Sequence, residues 1–195
     1  YGVATSPGLL MALATNKVLF FGLVIAEFAL VFGVSGAINR LSLTTATLMF
    51  VAYSVINGAL LSFIFLAYTM SSITSVFFIT AGTFAAMAIF GYTTKKDLTS
   101  IGRLLFMALI GIIIATIVNM FIGSEGMSMI ISYVGVFVFV GLTAYDSQKI
   151  KEMLLSQGAG GEQGQKLALL GALTLYLDFI NLFIYLLRIL GSKRD

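Results

Sequence analysis

Six stretches of this chain are almost unbroken apolar sequence of about 20 residues or more: roughly 18–38, 44–69, 72–93, 102–122, 127–149 and 167–190. An α-helix needs about 20 such residues to cross the hydrocarbon layer of a bilayer. The runs are continuous rather than alternating, which excludes a transmembrane β-barrel. Composition closes the remaining exits. Of 195 residues 59% are hydrophobic and only 10% charged, against about 25% charged in a soluble domain. Too little polar surface is left for a soluble core or for a disordered chain. The expected architecture is an all-α polytopic membrane protein, a single transmembrane domain over residues 1–195, whose first partner is the lipid bilayer.

Residues 8–14 (GLLMALA) are apolar but too short to span, and follow Ser6-Pro7, a turn or helix start. They read as an interfacial piece or as the tail of an earlier helix. They lack the basic region of a signal peptide. The chain opens on Tyr1 rather than Met, so a fragment, or the ordered part of a longer chain, is expected. The 156–165 stretch (SQGAGGEQGQ) reads as a flexible linker. Glycines recur inside the spans (Gly22, Gly33, Gly58, Gly82, Gly111, Gly135, Gly141), as close helix packing in lipid requires.

The net charge of +3 reflects loop Lys and Arg rather than a nucleic-acid surface. Seven basic residues (Arg40, Lys95, Lys96, Arg103, Lys149, Lys151, Lys166) follow spans one, three and five. The opposite internal loops, near 70–72 and 122–127, have none. The positive-inside rule then places the seven-charge face in the cytoplasm and the C-terminus outside.

Absences narrow the chemistry. The chain has no Cys, His or Trp, which removes disulfides, thiol chemistry, Cys/His metal and haem sites, and His-dependent triads. No nucleotide or cofactor motif is present. Eight acids remain, and Asp97, Glu125, Glu152, Glu162 and Asp195 fall in loops or at the terminus. Glu27, Asp146 and Asp178 fall inside apolar segments.

Asp178 sits well inside the last span, where an ionised carboxylate costs about 2.5–3.5 kcal/mol on insertion scales. At 100° per residue, Asp178, Thr174, Asn181, Tyr185 and Arg188 share an arc of about 100°. That polar face must look into the protein or into water, so the last helix is expected at the centre of the bundle. Asp146 lies near the end of span five, beside Lys149. If it is drawn inward it meets Asp178, and two close carboxylates share a proton. Such a dyad can be a proton sensor, a weak Ca²⁺ site or an acid–base pair. Glu27 needs a partner if buried. Arg188, the cation on the polar face of the last span, is the economical choice; a hydroxyl or Asn57 is the alternative. Asn57 and Asn119 read as helix-packing bonds.

An intramembrane aspartyl protease would need Tyr-Asp on one helix and Gly-x-Gly-Asp on the next. Tyr145-Asp146 fits the first half; Leu175-Tyr176-Leu177-Asp178 fails the second. The Pro-Ala-Leu motif is missing, because the only proline is Pro7. An enzyme is not expected. A narrow, gated path with an acidic lining fits better.

Residues 174–191, TLYLDFINLFIYLLRILG, resemble the C-terminal signature of the transmembrane Bax inhibitor motif family (Bax inhibitor-1-like), in its bacterial form. Ala-Tyr-Asp-Ser-Gln-Lys-Ile at 144–150 resembles the end of that family's sixth helix, and Lys-Lys-Asp-Leu at 95–98 matches its bacterial pattern. The likeness runs from span one to the end. It implies seven helices, two layers of three around a central C-terminal helix, with the first largely missing here. It also implies a pH-dependent calcium leak with a di-aspartyl sensor at Asp146 and Asp178, and a latch-type pair of Glu27 with Arg188. The expected ions are Ca²⁺, as cargo, and H⁺; no cofactor is expected. Some relatives resemble modulators of a membrane protease, so a membrane-protein partner is the alternative role. The expected location is a bacterial inner membrane.

Overall fold

The computed structural model describes Gly8 and residues 15–38, 40–157 and 161–194. Except for Gly8, the 8–14 segment lies outside them. The described residues form helices α1 (Lys17–Ala37), α2 (Leu43–Leu61), α3 (Ile64–Ala67), α4 (Met70–Thr93), α5 (Thr99–Ile122), α6 (Glu125–Gln157) and α7 (Gly161–Leu190). Five segments are long and apolar enough to cross a membrane: Leu43–Ala67, Met70–Thr93, Thr99–Ile122, Glu125–Ser156 and Gly161–Leu190. The apolar part of α1, Phe21–Ala37, is shorter. The chain is thus a multi-pass, all-α membrane protein.

Local chemistry sets the helix ends. The Asn16 side chain accepts the Leu19 N–H at 3.0 Å and caps α1. Ser42 Oγ accepts the Thr45 N–H at 3.1 Å and caps α2. α5 stops at Gly123, whose φ of 69° is left-handed and whose N–H bonds the Asn119 carbonyl. Asn119 then bonds both the N–H and the carbonyl of Ser124, each at 3.1 Å. It therefore closes the α5–α6 turn and makes no packing bond between spans, contrary to the sequence expectation. Asp97 Oδ1 accepts the Thr99 N–H at 2.8 Å. Its bonds to Thr99, helped by Arg103, hold its carboxyl below the usual carboxylate range. Any stability this adds is present at neutral pH and fades as pH falls through that lowered value.

Two expectations about boundaries change. The second apolar run breaks at Ser62–Phe63. Ser62, fully buried, turns its N–H and Oγ onto the Ala59 carbonyl, and the next residues bond three back rather than four. The 156–165 linker is mostly helical: α6 continues to Gln157 and α7 begins at Gly161. Lys, Glu, Met and Leu in 150–157 are good helix formers, and Glu162 pairs with Lys166 one turn on at 2.9 Å. Asp146 therefore lies in the body of a 33-residue helix.

The fold divides into two compact units. Unit one holds the chain to Met70, residues 159–170 and the tail from Ser192. In it α1 packs on α2, and the tail pairs with the end of α3 through Thr69 N–H to Ser192 O and Arg194 N–H to Ala67 O. Unit two holds 71–158 and 171–191. Its core joins Ile112 of α5, Ile131, Val138, Phe139 and Leu142 of α6, and Leu182 of α7. Phe179 of α7 takes Phe77 and Phe84 of α4 edge-on, with centroids 5.7 and 5.5 Å away.

Burial identifies the central elements. In α6 and α7 44% and 33% of the apolar window is enclosed, against 6–17% in α2 to α5. The sequence singled out the last helix; α6 is enclosed still more. Of the seven mid-span glycines, Gly33, Gly135 and Gly141 pack against neighbouring side chains, whereas Gly22, Gly58, Gly82 and Gly111 meet nothing within 4 Å. The tightest approach lies elsewhere, at Gly91. A Cβ there would fall 2.0 Å from the Ala144 carbonyl oxygen, so α4 and α6 touch backbone to backbone.

Candidate functional site

α6 and α7 run antiparallel, and successive contacts fix their register. Gly171 faces Ile150, Asp178 meets Asp146, and Tyr185 lies on Gly135 and stacks on Phe139 at 5.9 Å. Each step back along α6 matches a step forward along α7. Small residues at Gly171 and Gly135 receive large partners, and this brings the two helices close between those points. Tyr145 is held by α5, its ring lying against Gly102.

Between the two glycine contacts the Asp146 and Asp178 carboxyl groups face each other across α6 and α7. Asp178 is 5% exposed and Asp146 half-buried. Among the described residues only Asp178 Oδ2 and Ser147 Oγ are buried side-chain polar atoms without a hydrogen-bond partner. No group of three His, Cys, Asp or Glu side chains is close enough to hold a metal among the described residues. Two carboxylates alone are a poor set for Ca²⁺, which takes six to eight oxygens.

The other sequence candidates separate. Asn181 Nδ2 donates to the Leu177 carbonyl of its own helix at 2.8 Å. Tyr185 packs on α6, and Thr174 is half-buried on the same helix. Arg188 is exposed in the last turn of α7, with its guanidinium 5.8 Å from the Tyr185 ring centre. In unit one the Glu27 carboxylate accepts the Asn57 amide, joining α1 to α2. Lys149 lies over the Tyr145 ring at 5.7 Å.

Sequence reasoning passed over Gln148. It is buried, accepts the Leu98 N–H at 2.9 Å and donates to the Lys96 carbonyl at 2.8 Å. It thereby ties the basic α4–α5 loop to α6, two residues from Asp146. Lys151 donates to the Tyr92 carbonyl at 2.6 Å and closes the end of α4. A polar residue deep in α6 was the available signal for Gln148; its partners, both backbone groups of a distant loop, leave no mark in the sequence.

The sequence matches the family described as "Inhibitor of apoptosis-promoting Bax1" over residues 2–195. It is 50% identical to the "Inner membrane protein YbhL" of Escherichia coli (strain K12), over 98% of this chain and 82% of that protein. An uncharacterized protein of Borreliella burgdorferi is 49% identical over 93% of this chain and 78% of its own length. An uncharacterized membrane protein of Streptococcus pyogenes serotype M6 is 43% identical over 95% and 80%. With the match running through α1 to α7 and the C-terminal tail, this chain belongs to the Bax inhibitor family of membrane proteins.

Proposed function

We propose that this protein is a pH-sensitive cation leak, with Ca²⁺ as the cargo, gated by Asp146 and Asp178. The observation that supports the reading is the meeting of the Asp146 and Asp178 carboxyl groups between α6 and α7, at a buried position. At low pH the shared proton keeps the helices joined and the path closed. As pH rises the proton leaves, the two negative charges repel, and the helix pair loosens around a site that attracts cations. The weak ligand set suits passage more than storage. The test is calcium entry into proteoliposomes holding the purified protein. Flux should rise as pH is raised through the range where the pair loses its proton. No flux at any pH would remove the leak and leave the role of a modulator bound to a membrane-protein partner, such as a membrane protease.

A Glu27–Arg188 latch is the second part of the proposal. It would have to draw Glu27 from Asn57 and Arg188 from Tyr185. Arg188→Ala should then change basal flux severalfold. Flux and thermal stability both unchanged would eliminate the latch.

The basic loops are proposed to face the cytoplasm. The chain has no cysteine, so single substitutions report cleanly. Ser124→Cys should react with an impermeant maleimide in intact cells, and Lys96→Cys only after permeabilisation. The reverse pattern would invert the topology.

A further inference from the structure

The start of α5 is held by another helix. A helix leaves its first N–H groups without intrahelical partners, and a Ser, Thr, Asp or Asn side chain at the cap usually takes one. The cap of α5 is Leu98, whose side chain makes no such bond. Its own N–H goes instead to Gln148 Oε1, fifty positions on in α6, at 2.9 Å. Gln148 Nε2 then donates to the Lys96 carbonyl at 2.8 Å. One turn further along α6, Lys151 donates at 2.6 Å to the Tyr92 carbonyl in the last turn of α4. Gln148 is 4% exposed and Leu98 7%, so loss of these bonds would strand buried backbone groups.

At 100° per residue, Ala144, Gln148 and Lys151 fall within an arc of about 60° on α6. Ala144 lies against the backbone of Gly91, so this stripe faces α4 and the α4–α5 loop. Asp146 and Ile150 lie about 200° and 240° round from Ala144, on the side that meets Asp178 and Gly171 of α7. A grip on one side of a helix sets the aim of the other. A carboxyl about 5 Å from the helix axis moves by roughly 2 Å for a turn of about 20°, more than a hydrogen bond tolerates. We propose that Gln148 is a positioning residue for Asp146: by holding the α4–α5 loop it fixes the rotation of α6 about its own axis, and so directs Asp146 at Asp178. The consequence for flux rests on the reading of that pair as the gate.

Infrared spectroscopy, hydrogen exchange and calcium flux on the full chain in proteoliposomes test this. The carboxyl bands of the pair are identified by their change in Asp178→Asn. Gln148→Met keeps the length of the side chain and removes both bonds. In it the Leu98 N–H should exchange about tenfold faster, the carboxyl bands should shift, and flux at fixed pH should change severalfold. Asp97→Ala is the control for simple loosening. It frees the Thr99 N–H in the same loop and leaves α6 untouched, so exchange should rise while the bands and the flux stay as in the native protein. If Gln148→Met fails to fold, Gln148→Asn, one methylene shorter, carries the same expectations. Carboxyl bands unmoved in the Gln148 variant, or moved as far by Asp97→Ala, would overturn the proposal. Bands that shift in a protein without flux would remove the gate and keep the positioning, so the two failures read apart.

Discussion

Replacing Asp178 with Asn is expected to hold calcium flux low at every pH, and replacing it with Ala to leave flux high at every pH. The opposite directions follow from the proposed pairing of the two acids between α6 and α7. An Asn amide donates to the Asp146 carboxylate without needing a proton, so the closed pairing persists where the native pair would part. Ala offers no donor, so the pairing is absent even in acid. Hydrogen bonds to charged groups contribute about 1.5–3 kcal/mol. At about 1.4 kcal/mol per tenfold, that moves a closed-to-open ratio about ten- to a hundredfold. Asp146→Asn should resemble Asp178→Asn. A slope of flux against pH that survives both Asn variants would show that the pair is not the gate.

The second large effect is structural. Gly91→Ala places a Cβ 2.0 Å from the Ala144 carbonyl oxygen and 2.7 and 2.8 Å from its carbonyl carbon and Cα. All three atoms are backbone, so no side chain can rotate away, and α4 and α6 must separate. Overpacking of this kind costs about 1–3 kcal/mol and occasionally more. The thermal midpoint in detergent should fall by several degrees. Gly111→Ala is the control. Nothing lies within 4 Å of that position, and Ala favours the helix by about 1 kcal/mol, so the midpoint should hold or rise. Equal behaviour of the two variants would contradict the close contact at Gly91.

These two sites were unequally legible in the sequence. Asp178 announces itself because a carboxylate amid Leu, Ile and Phe has few bland explanations. Its meeting with Asp146 was readable only as a condition, since the apolar pattern ends at residue 149 while α6 runs on to Gln157. Hydropathy marks where lipid begins, not where a helix stops. Gly91 could not be told from Gly111 for a related reason. Membrane helices are apolar all round, so periodicity does not distinguish the side facing lipid from the side facing protein. The same blindness hid the break at Ser62, which has no proline to mark it, and the local role of Asn119, whose partner is the turn five residues on.

The contact at Gly91 and the clamp made by Gln148 also have a mechanical consequence. With α4 pressed backbone to backbone on α6 and the α4–α5 loop bolted to the same helix, these parts form a stator. In the proposed gating, motion at the aspartate pair would then fall to α7, whose hold on α6 is side-chain packing at Gly171 and Gly135 and through Leu182. A turn or slide of α7 would have to carry Phe179 past Phe77 and Phe84 of α4 as well as part the two acids.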